Sequence, residues 1–145
     1  MMNGKPLRVL IVENSTEAVE RLLRELRNGG YDPVYERVET ASAMKIMLEK
    51  HAWDIVLANY SLSSFSGVGA LTELQLSGLD LPFIIVSDTV SKDTATACTN
   101  AGAHDYIIKR NMKRLVPVIE RELKEAKKRR RYKYAGEAWR NSRAL

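Results

Sequence analysis

"WDIVLANYSLSSFSGVGAL" (residues 53–71) changes its pattern halfway along. Residues 54–60, DIVLANY, are short and rich in β-branched and aliphatic side chains, which predicts a buried strand. A serine-rich loop follows. Val68, Leu71 and Leu74 then fall at helical spacing, which predicts a helix over 67–76. A strand delivering its chain to a helix through one loop is the repeating piece of a βαβ fold. Asn59, at the end of that strand, is then the side chain turned toward solvent.

The same alternation extends in both directions. LRVLIVE (7–13) is almost continuously apolar, as a strand covered on both faces should be. DPVYERVE (32–39) is more polar and begins with Pro33, which suits an edge strand. PFIIVSD (82–88) and HDYIIKR (104–110) complete five strands. Residues 15–28 carry Val19, Leu22, Leu23 and Leu26 on one helical face and stop at Gly29-Gly30. Helices are also predicted over 41–51, with Met44, Met47 and Leu48, and over 92–101. A last helix starts near Met112 and runs into a charged tail. Pro117 falls within it, so that helix kinks there or begins later. Strict alternation with short connections predicts a parallel sheet with helices on both faces. Ligands of such sheets bind beyond the carboxyl ends of the strands, which directs attention to Glu13, Asn14, Asn59, Ser87, Asp88 and Lys109.

At 145 residues the chain holds one domain and at most a tail. Its lone cysteine, Cys98, can form no internal disulfide, which fits a reducing compartment and a small buried filler. No uncharged apolar run reaches the roughly 18 residues of a membrane span, and no signal peptide is visible, so a cytoplasmic location is expected. The net charge of +5 is unevenly placed. Residues 124–145 hold nine Lys or Arg against two Glu, while residues 1–123 hold 14 basic and 16 acidic groups. An electrostatic partner is therefore sought at the tail.

RVLIVENS, DIVLANYS, FIIVSDT and AGAHDYIIK, in that order on those elements, resemble the receiver domain of bacterial response regulators. The resemblance covers about residues 5–126 and leaves 127–145 as a basic tail or linker helix. It implies a flavodoxin-like α/β fold with strand order 2-1-3-4-5 and a place in a two-component phosphorelay. Receivers of this kind accept a phosphoryl group on an aspartate ending the third strand. An acidic pair after the first strand helps to hold Mg²⁺, and a hydroxyl and a lysine bind the phosphoryl oxygens. An aromatic residue on the fifth strand turns inward as the hydroxyl moves. Carried onto this chain, Ser87 matches the hydroxyl, Lys109 the lysine and Tyr106 the aromatic. Glu13 and Asn14 fall on the acidic pair, and Asn59 on the phosphoacceptor.

Here the chain departs from its family. The Asn59 amide shares its nitrogen lone pair with the carbonyl and cannot form an acyl phosphate. Asn14 lacks a charge, so Glu13 alone remains of three carboxylates, and Mg²⁺ binding should be weak or absent. Glu13 is expected to pair with Lys109. Ser63 and Ser64 stand where close relatives carry proline and glycine. These departures around one pocket describe a degenerate pseudo-receiver, with no catalytic residue and no cofactor.

Other residues receive plainer readings. Asp54 starts the third strand at the far end of the sheet, as a solvated strand start. Asp88 is read as a solvated loop carboxylate, with partial replacement of the missing metal charge as the alternative. His51 lies near nothing resembling a phosphotransfer helix, and His104 is expected to hydrogen-bond within the turn before the fifth strand. Asn14, ahead of Ser15 and Glu17, is read as a helix cap as well as a pocket residue. The tail KKRRRYKYAGEAWRNSRAL leaves three readings open: a helical extension toward a following PAS or output domain, a solvated end, or a contact with nucleic acid or another acidic surface. Gly136 weakens a continuous helix there.

The functional expectation is a signalling module that acts by protein–protein contact without aspartyl phosphorylation and is not an enzyme. Its partner would be a histidine kinase or output domain, or a second copy in a homodimer, met through the fourth helix, fifth strand and fifth helix. Three alternatives stay open. One is a phosphorylatable receiver using Ser61, Ser87 or Asp88. Another is an Asn59 introduced by design, and the third is the N-terminal receiver of a longer PAS-containing protein.

Overall fold

The computed structural model describes residues 4–60, 66–88 and 92–143, with side chains as far as Lys133. Ser61, Ser63 and Ser64 lie outside the described residues. Five strands alternate with helices: β1 (Lys5–Val12), α1 (Thr16–Asn28), β2 (Tyr31–Val38), α2 (Ala41–Lys50), β3 (Ile55–Asn59), α3 (Gly67–Ser77), β4 (Phe83–Ser87), α4 (Lys92–Ala101) and β5 (Asp105–Ile108). A 3₁₀ segment (Lys109–Arg114) leads into the long α5 (Leu115–Arg143). The strands form one parallel sheet in the order β2-β1-β3-β4-β5, the flavodoxin-like arrangement expected from the sequence.

The alternation of side chains along β1 divides the core into two layers. Leu7, Val9 and Ile11 pack with the α1 stripe of Val19, Leu22, Leu23 and Leu26 and with Leu115, Val118 and Ile119 of α5. Leu10 and Val12 face the other way, into Met44 and Leu48 of α2 and Leu71 and Leu74 of α3. Coverage of both faces explains why β1, β3 and β4 read as nearly unbroken apolar runs. Pro33 does stand on the edge strand, β2.

Several boundaries differ from the sequence reading. Glu13 follows β1, and Tyr60 and Lys109 follow β3 and β5, which leaves these polar positions at the carboxyl rim. Asn111 has φ −123° and ψ 51°, outside the helical region, and α5 begins only at Leu115. Pro117 is thereby the third residue of α5, in the first turn, where a missing N–H breaks no intrahelical bond. Gly136 does not end the helix, which continues to Arg143; one glycine costs only about 1 kcal/mol relative to alanine. Ser15, not Asn14, caps α1, accepting a hydrogen bond from the Ala18 N–H at 3.2 Å. The hydroxyl reaches that amide because Ser15 is the extended residue directly before the first helical turn. Asp54 is ion-paired with Arg8 rather than left to solvent. Within the described residues, no helix is long and apolar enough to cross a membrane.

Candidate functional site

The parallel sheet brings the ends of β1, β3, β4 and β5 to one rim, where a pocket is lined by Glu13, Asn14, Asn59, Asp88, Lys109 and residues of α1. Glu13 is its centre and is only 2% exposed. Its Oε1 accepts from the backbone N–H groups of Asn14 (3.0 Å) and Ser15 (3.1 Å), at the start of α1. The same oxygen accepts from Asn59 Nδ2 at 3.1 Å. Lys109 Nζ donates to Oε2 at 3.5 Å. The carboxylate is thus satisfied by two main-chain amides, one side-chain amide and one ammonium. The helix terminus adds its own positive field.

The ion pair expected between Glu13 and Lys109 is present, with Lys109 itself largely enclosed. Asp88 approaches the same ammonium at 3.9 Å, but its side chain is 78% exposed. Asn14 sits exposed on the rim, where its main-chain carbonyl accepts from Arg37. Sequence reasoning passed over Arg21, whose guanidinium donates to the Lys109 carbonyl across the pocket. Arg21 lies outside the apolar stripe of α1 and so reads as an ordinary solvent-facing arginine.

On the other side of β4, Ser87 and Tyr106 are both buried. The Ser87 hydroxyl is hydrogen-bonded to the Tyr106 phenol, whose pKa burial pushes up despite that bond. Tyr60, directly after Asn59, places its ring 6.3 Å from that of Tyr106 at an interplanar angle of 45°. This is aromatic-pair geometry, and nothing local in the sequence marks it. Cys98 is buried in the same layer, and desolvation pushes its thiol pKa up. His104 Nδ1 accepts from the Phe83 N–H at 3.0 Å, so it ties β4 to the turn before β5 rather than serving the pocket.

The matched family profile is the response regulator receiver domain, over residues 9–120. The chain belongs to the response regulator receiver domain family. Among curated relatives, it is 30% identical over 102 residues to the transcriptional regulatory protein PrrA of Mycobacterium tuberculosis, covering 70% of this chain and 43% of that protein. It is 30% identical over 111 residues to the transcriptional regulatory protein ZraR of Klebsiella oxytoca, covering 74% and 24%. The two-component response regulator-like PRR73 of Oryza sativa is 29% identical over 135 residues, covering 83% and 15%. This receiver therefore spans less than half the length of these relatives. A signal receiver domain from Vibrio parahaemolyticus superposes with a TM-score of 0.73 at 27% identity, covering 84% of this chain and 93% of that one. NtrX from Brucella abortus shares the fold, with a TM-score of 0.77 at 22% identity over 90% of this chain and 29% of that one.

Receivers of the family employ Mg²⁺, and the donor set of this pocket does not fit that ion. Magnesium requires near-octahedral oxygen ligation and leans on carboxylate charge. The one enclosed carboxylate has both oxygens engaged by internal donors, and Asn59 directs its NH₂ group toward Glu13. A metal entering here would displace Lys109 and face that amide nitrogen.

Proposed function

We propose that this receiver is a pseudo-receiver: it works as a protein–protein interaction module of a two-component pathway, without aspartyl phosphorylation and without enzymatic activity of its own. The observation that carries this reading is the closed hydrogen-bond set around Glu13. In a phosphorylatable receiver, charge is gathered to hold a metal and a phosphoryl group. In this pocket the lysine and an amide at the acceptor position are spent on one another through Glu13.

The proposed docking face consists of α4, β5 and the start of α5, where a histidine kinase, an output domain or a second copy would meet it. Tyr106 is turned inward and bonded to Ser87, the arrangement that the family associates with the switched state. On the outer side, Asp105 accepts from Arg121 at 2.7 Å and pairs with Arg114 at 3.5 Å, which fixes the charge pattern between β5 and α5. Ser87 is a poor alternative acceptor, being buried and engaged by Tyr106. Asp88 is the exposed carboxylate nearest to Lys109 and is the alternative acceptor to examine.

Intact mass after incubation with a small-molecule phosphodonor and Mg²⁺ tests the reading. The wild type should gain no phosphoryl group, whereas a Glu13→Asp/Asn14→Asp/Asn59→Asp variant should gain one. An adduct on the wild type, mapped to Asp88 or a serine, would overturn it.

A further inference from the structure

Residues 124–133 of α5 contain seven basic side chains and one acidic one. Their distribution around the helix is uneven. Val118, Ile119, Glu122 and Ala126 are buried against the domain. Arg129 continues that face and donates through Nε to both oxygens of Asp80, at 3.2 and 2.9 Å. This bond fixes the rotation of the helix about its axis. Arg130 lies near Asp54 and Asp80 and helps to lower both carboxyl pKa values.

Lys124, Lys127, Lys128 and Arg131 fall on the opposite side, within an arc of about 100° and along about 10 Å of helix. All four are exposed. Lys128 has a 3.7 Å contact with Glu125, itself half exposed. The other three have no ion-pair partner among the described residues. Neighbours three and four apart in this stripe repel one another, a cost that an anionic partner would relieve. Tyr132, next to the stripe, is 74% exposed.

We infer that this stripe is a binding surface for the phosphodiester backbone of nucleic acid. Three physical arguments select that partner. The stripe is mostly lysine, which is depleted in protein–protein interfaces, whereas lysine and arginine dominate contacts to phosphates. Its apolar opposite face is already spent on the domain, so the helix has no face to insert into a membrane interface. An exposed aromatic among cations suits stacking on unpaired bases. Binding would be independent of sequence, and it does not rest on the phosphorylation state of the rim pocket.

Fluorescence anisotropy with a labelled single strand and a labelled duplex of equal length tests the inference on the whole chain. Neutralising four phosphates predicts a slope of log K against log salt of about −2.8 on the single strand and about −3.6 on the duplex. A Lys124→Gln/Lys127→Gln/Lys128→Gln/Arg131→Gln variant keeps good helix formers and should bind at least tenfold more weakly. A matched variant, Lys5→Gln/Lys45→Gln/Lys50→Gln/Lys92→Gln, loses the same charge from exposed positions elsewhere and should bind within about twofold of wild type. Circular dichroism confirms that both variants are folded. Three results would overturn the inference: no binding at low salt, equal loss in the two variants, or equally tight binding of a polyglutamate peptide or phosphatidylglycerol vesicles.

Discussion

The Asn59 side-chain amide donates to Glu13 Oε1 at 3.1 Å, joining residues 46 positions apart inside a pocket where Glu13 is almost wholly enclosed. An aspartate at position 59 would turn this bond into a contact between two carboxylates. Asn59→Asp should therefore destabilise the fold by about 1–3 kcal/mol at neutral pH, the cost of an unsatisfied buried acceptor. Millimolar Mg²⁺ should recover part of that loss in the variant and leave the wild type unchanged. Thermal unfolding with and without the ion checks this. A variant melting temperature indifferent to Mg²⁺ would show that the pocket cannot be restored by one charge.

Among the described residues, Lys109 supplies the only cationic side chain bonded to Glu13. Lys109→Met retains the stem and removes the ammonium, leaving the carboxylate its three amide donors. We expect a loss of about 1–3 kcal/mol, read from urea unfolding at neutral pH. Glu13→Gln in the same background should return part of it, because the buried charge is then gone. Additive losses in the double variant would contradict the coupling.

Tyr60 holds one side of Tyr106 by ring contact. Tyr60→Ala should release the Tyr106 ring, and Tyr60→Phe should not, since the contact involves ring faces and edges. Fluorotyrosine NMR of Tyr106 reports the change directly. An unaltered Tyr106 resonance in Tyr60→Ala would assign its inward position to Ser87 alone. An aromatic pair of this kind contributes about 0.5–1.5 kcal/mol beyond burial.

Gly67 opens α3 against the end of β3. A Cβ at this position would lie 2.9 Å from the Asn59 carbonyl oxygen and 3.0 Å from the Tyr60 Cα, both main-chain atoms. Gly67→Ala should cost about 1–3 kcal/mol, as overpacking against backbone does. Amide chemical shifts should move at Asn59 and Tyr60, and a variant as stable as wild type would argue against this close approach.

Acid should weaken the charge pairs along the underside and outer edge of the sheet. Partial burial, the largest single effect, pushes the Asp54 and Asp105 carboxyls up. The combined hydrogen bonds and charge of Arg8 with Arg130 at Asp54, and of Arg121, the Tyr106 N–H and Arg114 at Asp105, outweigh it and leave both below the usual range. The Arg129 hydrogen bond holds Asp80 low as well. A carboxyl lowered in the folded state contributes stability that is complete above its unfolded value, about 3.9 for aspartate, and is lost as pH falls through the folded value. Melting temperature should therefore decline below about pH 4. The decline should be shallower in Asp54→Asn/Asp80→Asn/Asp105→Asn. Parallel profiles would mean that other groups govern acid unfolding.

Much of the fold lay in short-range patterns. Period-two and period-3.6 spacings are local, so five strands, their helices and the polar residues after each strand could be read in order. The roles of Ser87, Tyr106 and Lys109, and the missing carboxylate at Asn59, were legible through the resemblance to receiver domains rather than through spacing. The Glu13–Lys109 pair was expected, but tertiary structure decided the remaining contacts among those residues. Glu13 draws donors from the start of α1, the end of β3 and the residue after β5, up to 96 positions away. Which donors reach it depends on strand order and register, and these follow from burying both faces of the sheet. The path of α5 was decided likewise. Gly136 argues locally against a helix, and Arg129 on Asp80 is a contact 49 residues apart that no spacing along the chain encodes.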